Sequence, residues 1–173
     1  MGFRIIAISL AAALPVAVYA APAAPACSAA PVLPPELTGW SRDASSKTIY
    51  AYGDDLGADW SPLGAARTEL PLHRFESLRY GIAPERKPDV HKFGGMIPIE
   101  VKKAGRLVVA LDAGAWIDLV QGGGVVKSVK HGHGPACSGI RKMVEFDVTQ
   151  GRYQLQIVNA PAASIHAMAV LRD

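Results

Sequence analysis

Side chains able to do chemistry are concentrated in one short segment of this 173-residue chain. The run from His131 to Lys142, HGHGPACSGIRK, contains two imidazoles, a thiol and two cations. Its glycines and its proline are incompatible with a regular helix, so the run predicts a loop, and loops of this kind often carry binding or catalytic groups. We therefore treat residues 131–142 as the candidate functional rim.

His131 and His133 stand two positions apart, and residues two apart on a strand point to the same side. Such a pair could hold a divalent metal such as iron or zinc. The alternative is that the glycines set a tight bend, the imidazoles are solvated at its rim, and no cofactor is bound. A metal would need at least one further ligand, and the sequence leaves that ligand open among Cys137, His91, His166, Glu145 and Asp118.

The chain has two cysteines, Cys27 and Cys137. In an oxidising compartment an even pair usually forms a disulfide, and we expect one here. A disulfide would remove Cys137 from any metal site, because a metal binds the thiolate. The alternatives are a free Cys137 acting as ligand or nucleophile, and lipidation of Cys27, although residues 24–26 lack the large aliphatic side chain that usually precedes a lipidated cysteine.

Arg141 and Lys142 form a candidate anion or ligand rim at the end of the same run. A guanidinium fork beside an ammonium group suits a carboxylate, phosphate or sulfate. The alternative is that one of the two side chains pairs with Glu145 or Asp147 while the other is solvated.

Three tryptophans raise the question of stacking on a ligand. Trp116 lies in an apolar run and is expected in the core, whereas Trp40 and Trp60, close to glycine, serine and proline, could lie at the surface. The phosphate-loop, dinucleotide, nucleophile-elbow and zinc-protease motifs do not occur in the sequence. None of these four motifs therefore supports an enzyme.

The elements that must position the rim are β-strands. Apolar and polar residues alternate with period two in residues 97–101, 107–111, 144–148 and 153–157, as is typical of half-buried strands. Glycine-rich turns separate these from further strand candidates at 47–52, 68–80, 115–120, 125–130 and 165–171. Many short strands without helical periodicity predict an all-β fold, an antiparallel β-sandwich or jelly-roll-like barrel with irregular N-terminal loops.

Residues 1–20 have the pattern of a signal peptide: Arg4, an apolar stretch and small residues ending at Ala20. An Ala/Pro-rich extended lead-in is expected over 21–38 and a single domain over 39–173. Beyond the leader no apolar run is long enough for a transmembrane segment. The sequence thus predicts an exported protein, periplasmic or secreted.

The formal net charge of +3 is small, and the lysines and arginines are scattered, which disfavours a nucleic-acid partner. The pattern favours an exported, non-catalytic β-sandwich that acts as a binding or accessory protein. Its partner would be an unknown small molecule or an envelope component.

From His91 onward the chain resembles a group of short exported bacterial proteins of unestablished function that often carry the name homogentisate 1,2-dioxygenase. The blocks that carry this resemblance are WID at 116–118 and HGHGPACSGIRKM at 131–143. The resemblance implies an alternative function, a metal-dependent ring-cleaving dioxygenase that uses His131 and His133.

The dioxygenase family named in this way binds iron(II) with two histidines and a glutamate. One of its histidines lies in a His-Gly-Pro segment shortly before a cysteine, which resembles His133-Gly134-Pro135 before Cys137 in this chain. Its second histidine stands six positions ahead of the glutamate, and no histidine here has a glutamate at that spacing. The resemblance therefore covers one of the two ligand elements.

Overall fold

The protein is a sandwich of two β-sheets, as the alternating pattern predicts. The computed structural model describes residues 27, 30–41, 45–48 and 61–172, with only the backbone for 45–48. Two short 3-10 helices, Pro35–Trp40 and Phe75–Ser77, accompany the strands, and no helix within these residues has the length and apolar character needed to cross a bilayer. The strands are β1 (Ser45–Thr48), β2 (Thr68–Pro71), β3 (His73–Arg74), β4 (Phe93–Val101), β5 (Gly105–Leu111), β6 (Trp116–Gln121), β7 (Gly124–Val126), β8 (Ser128–Gly132), β9 (Lys142–Val148), β10 (Gly151–Ala160) and β11 (Ser164–Arg172).

Sheet A has six strands in the order β1-β2-β11-β5-β9-β8, and sheet B has five in the order β3-β4-β10-β6-β7. All pairings are antiparallel except that of β1 with β2. The sequence predicted one strand over 125–130, but β7 and β8 belong to different sheets and the chain crosses between them at Lys127. Alternation could not reveal this crossing, because it describes each strand and not its partner.

The core lies between the two sheets. The twelve apolar residues of the four alternating segments all belong to one buried cluster, which confirms the prediction of a continuous core. They are Ile97, Ile99, Val101, Leu107, Val109, Leu111, Val144, Phe146, Val148, Tyr153, Leu155 and Ile157. Burying such side chains contributes roughly 1.5–3 kcal/mol each, so this cluster dominates the favourable free energy of folding.

The N-terminal segment covers the outer face of sheet A. Instead of a wholly extended lead-in, Pro35–Trp40 form a 3-10 helix that buries Leu37 and Trp40 against the sheet, in a second apolar cluster that includes Val108 and Met168. The hypothesis of a surface-exposed Trp40 was wrong, because its ring fills the space over these two side chains. Trp60 lies outside the described residues.

Pro98 lies where β4 is an edge strand. The short strand β3 pairs only with Phe93 and Gly94, so β4 beyond them has β10 on one side only. The carbonyl of Pro98 accepts a hydrogen bond from the Leu63 backbone N–H at 3.0 Å. An edge position explains how the strand tolerates a residue without a backbone donor.

Candidate functional site

A cleft of about 100 Å³ opens between the sheets at the edge of sheet B. Strand β7 pairs only with Leu119–Gln121 of β6, so no strand among the described residues lies beyond the first half of β6, Trp116–Asp118. Strands β8 and β9 of sheet A face this edge across the gap. The lining residues are Glu85, Trp116, Ile117, Asp118, Val126, Ser128, His131, Lys142, Val144 and Phe146.

Asp118 is the buried polar group of the cleft, with 2% of its surface exposed. Because residues two apart on a strand share a face, the indole Nε1 of Trp116 reaches the Asp118 Oδ1 and donates to it at 2.7 Å. The Glu85 backbone N–H donates to Oδ2 at 3.0 Å. Burial raises the pKa of the Asp118 carboxyl, and these two hydrogen bonds oppose part of that rise.

Residues 78–92 form a strap over the outer face of sheet B, and this strap places Glu85 at the cleft. The Gln156 side chain, opposite Asp118 on β10, donates through Nε2 to the Ile82 carbonyl at 3.0 Å. The Tyr80 hydroxyl donates to the Ile157 carbonyl at 2.8 Å. Burial, and secondly the charge of Asp118, raise the pKa of Tyr80, so its hydroxyl stays protonated and remains a donor.

The far end of the strap is held by Asn159, which has a positive φ of 62°. Its amide donates to the Lys87 carbonyl at 3.1 Å, and its Oδ1 accepts from the Asp89 backbone N–H at 2.7 Å. Asparagine is among the few non-glycine residues that adopt this backbone conformation readily. Between these two anchor regions the Arg86 guanidinium lies over the Trp116 ring, 5.9 Å from its centroid.

Trp116 therefore belongs to the site and not to the core. The expectation of a core position was wrong, because Trp116 lies on the opposite face of β6 from the core residues Ile117 and Leu119. Half-buried, with one hydrogen bond to Asp118, the ring supplies an aromatic wall to the cleft.

The rim residues separate into two groups. His131 on β8 and Lys142 at the start of β9 line the cleft, whereas Arg141 lines a different groove with Asp112 and Ser164. The structure therefore does not combine Arg141 and Lys142 into one anion site.

His133 also lies outside the cleft. Its Nδ1 is 2.7 Å from the Arg141 carbonyl oxygen, a contact that fixes the ring across the base of the loop. A smaller groove of about 70 Å³ on sheet A is lined by His131, His133 and Glu145, but the Glu145 carboxylate pairs with Arg172 at 2.6 Å and Arg106 at 3.3 Å.

The remaining ligand candidates are engaged elsewhere or distant from the pair. Cys137 forms a disulfide with Cys27, as predicted, and the His166 ring contacts Asp112 at 2.8 Å. His91 lies in an exposed turn near the end of the strap and is not among the residues that line the cleft. Of the sequence candidates only Asp118 shares the cleft with His131, and the described residues contain no group of three or more ligating side chains arranged to hold a metal.

The loop between the two cleft residues is a structural corner. Trp40 Nε1 donates to the Ser138 carbonyl at 2.8 Å, and Arg141 N donates to the Leu111 carbonyl at 2.8 Å. A side chain at Gly134 would collide with Ile140, so glycine is required there. The disulfide at Cys137 attaches this corner to the N-terminal segment. The glycines and the cysteine of the run thus shape the rim, while its two ends face the cleft.

Comparison with protein-family models, with curated proteins and with solved structures found no match. Interpretation of the cleft therefore depends on its own geometry. Glu85 and Trp116 were not identified as site residues from the sequence. A usable signal was an aspartate inside an apolar strand two positions after a tryptophan, since a buried carboxyl needs a nearby donor.

Proposed function

We propose that the protein is an exported, non-catalytic β-sandwich that binds a small ligand in the cleft between its sheets. The observation that carries this proposal is the cleft itself, where Trp116, Asp118, His131 and Lys142 converge on one opening. Concave sites with apolar walls and a few placed polar groups are the usual form of small-molecule sites. An envelope component with a small exposed group would fit the same opening.

Binding accounts for the side chains of the cleft better than catalysis. Both Asp118 oxygens already accept hydrogen bonds, and its side chain is almost fully buried, so it contributes polarity more readily than proton transfer. The thiol that could have acted as a nucleophile is in the disulfide. His131 has no histidine partner in the cleft, since His133 is directed to the Arg141 carbonyl.

Export is supported by two independent features. Residues 1–20 have the composition of a cleavable leader, and the Cys27–Cys137 disulfide is typical of oxidising compartments. A periplasmic or secreted location would expose the cleft to extracellular solutes.

The test is a ligand-observed NMR screen of the exported protein against a diverse library of small polar molecules. Ser128 lines the mouth of the cleft, so Ser128→Trp should fill it and abolish the binding signals. Val129→Trp, at the next and exposed position of β8, is the matched control and should leave them unchanged. Absence of any binding to the unaltered protein, or binding that survives Ser128→Trp, would refute the proposal.

A further inference from the structure

Acidic residues line one wall of the cleft, and a histidine and a lysine line the other. Two acidic residues, Glu85 on the strap and Asp118 on β6, line the sheet B side of the cleft. His131 on β8 and Lys142 on β9 place an imidazole and an ammonium group on the sheet A side. The charges are therefore separated according to the sheet that supplies them.

The four residues differ in their partners, and the Asp118 carboxyl already accepts hydrogen bonds from Trp116 and Glu85. Within the described part of the chain, Glu85, His131 and Lys142 take part in no ion pair. On the outer face of sheet A the opposite holds, because Glu145 lies within 4 Å of Arg172, Arg106 and Lys130. Charges facing one partly enclosed space interact more strongly with a bound ion than charges in open solvent do. Within the described part of the chain, these three side chains are therefore free of ion pairs and available to a charged ligand.

The size of the cleft restricts that ligand. At about 100 Å³ it is smaller than the cavity of about 150 Å³ that holds a benzene molecule. Val126, Val144 and Phe146 supply apolar contact between the charged walls. A compatible ligand has a short apolar middle with a polar group at each end, and the open mouth admits a longer substituent.

We propose that the cleft binds a small zwitterion of the amino acid class, with its ammonium group toward Glu85 and its carboxylate toward Lys142 and His131. This inference rests on the proposed binding function of the cleft. A singly charged ligand would leave one wall without a counter-charge, and a neutral one would leave both. Recognition therefore requires the two ends of the ligand to be unblocked.

The experiment is isothermal titration calorimetry with a series of ω-amino acids from glycine through β-alanine and γ-aminobutyrate to longer chains. The affinity should pass through a maximum at the length that spans the two walls. At that length, the methyl ester, which keeps only the ammonium, and the N-acetyl derivative, which keeps only the carboxylate, should each bind at least about tenfold more weakly, equivalent to about 1.4 kcal/mol.

Two variants assign the ends. Glu85→Gln should weaken binding of the zwitterion and the methyl ester but not of the N-acetyl compound. Lys142→Met should weaken binding of the zwitterion and the N-acetyl compound but not of the methyl ester. Glu100→Gln and Lys127→Met change exposed charges of the same types outside the cleft and should leave all affinities unchanged.

Equal affinity for the blocked compounds, or equal behaviour of the cleft variants and their controls, would overturn the proposal. If neutral or singly charged molecules bind to the unaltered protein and Ser128→Trp abolishes that binding, the cleft remains a binding site and only the zwitterion assignment fails. If no compound of any kind binds, the proposed function fails as well.

Discussion

Replacing Cys27 and Cys137 with serine should destabilise the protein by an amount that the structure allows to be calculated. The disulfide joins residues 110 positions apart, and their Cα atoms lie 5.5 Å from each other, within the usual range. In the chain-entropy model, opening a loop of this length increases the entropy of the unfolded chain by about 16 cal/mol/K, or about 5 kcal/mol at 25 °C. For a domain of this size the melting temperature should fall by about 10–20 °C.

The assay is urea unfolding of the exported protein, the double serine variant and Cys27→Ser alone. Because the effect arises in the unfolded state, the single and double variants should lose the same free energy, as should the reduced unaltered protein. The m-value should rise in all three, since an unlinked unfolded chain exposes more surface. The folded state should change little, because Trp40 still donates to the Ser138 carbonyl and still buries its ring.

A loss below about 1 kcal/mol would refute the chain-entropy reasoning. A large loss of unfolding free energy with an unchanged m-value would show instead that the disulfide acts through contacts in the folded state. Mass spectrometry under non-reducing conditions should find one linked pair of cysteine peptides, and two freely alkylated thiols or a lipid on Cys27 would remove the premise.

Four other measurements test the remaining conclusions. Phe146→Ala should cost roughly 3–5 kcal/mol in the free energy of unfolding measured by urea, because its ring is 1% exposed in the core; a loss below about 1 kcal/mol would contradict its core role. Burial raises the pKa of Asp118 in the folded state, so its stabilising contribution is complete below about pH 4 and is lost as the pH rises through the raised value. The unfolding free energy of the unaltered protein should therefore fall relative to Asp118→Asn as the pH rises above about 4, and a constant difference would show that this carboxyl does not titrate as inferred. Calorimetry with iron(II) or zinc should give no stoichiometric binding, whereas tight binding abolished by replacing His131 and His133 with alanine, with oxygen uptake on homogentisate, would favour the dioxygenase. The exported protein should begin after Ala20, which N-terminal sequencing would check.

The fold was predictable because one face of each long strand is buried. Period-two alternation identifies that face without knowledge of the partner strand, so Ile97, Leu107, Phe146 and Leu155 could all be assigned to the core from the sequence. The disulfide was predictable for a different reason, since two cysteines in a chain predicted to be exported leave few alternatives. The pairing of strands was harder to predict, because nothing in residues 125–130 indicates that β7 and β8 belong to different sheets.

The candidate site was predictable only in part. The sequence by itself determined the strand pattern, the cysteine pair and the unusual composition of residues 131–142. The tertiary structure decided that His131 and Lys142 line one cleft with Trp116 and Asp118, that His133 and Arg141 do not, and that Glu85 arrives on a strap from a distant part of the chain. The physical reason is that side-chain alternation is a local property of the backbone, whereas a cleft depends on where one strand ends beside the next. Here β7 is shorter than β6, and the edge it leaves uncovered creates the site.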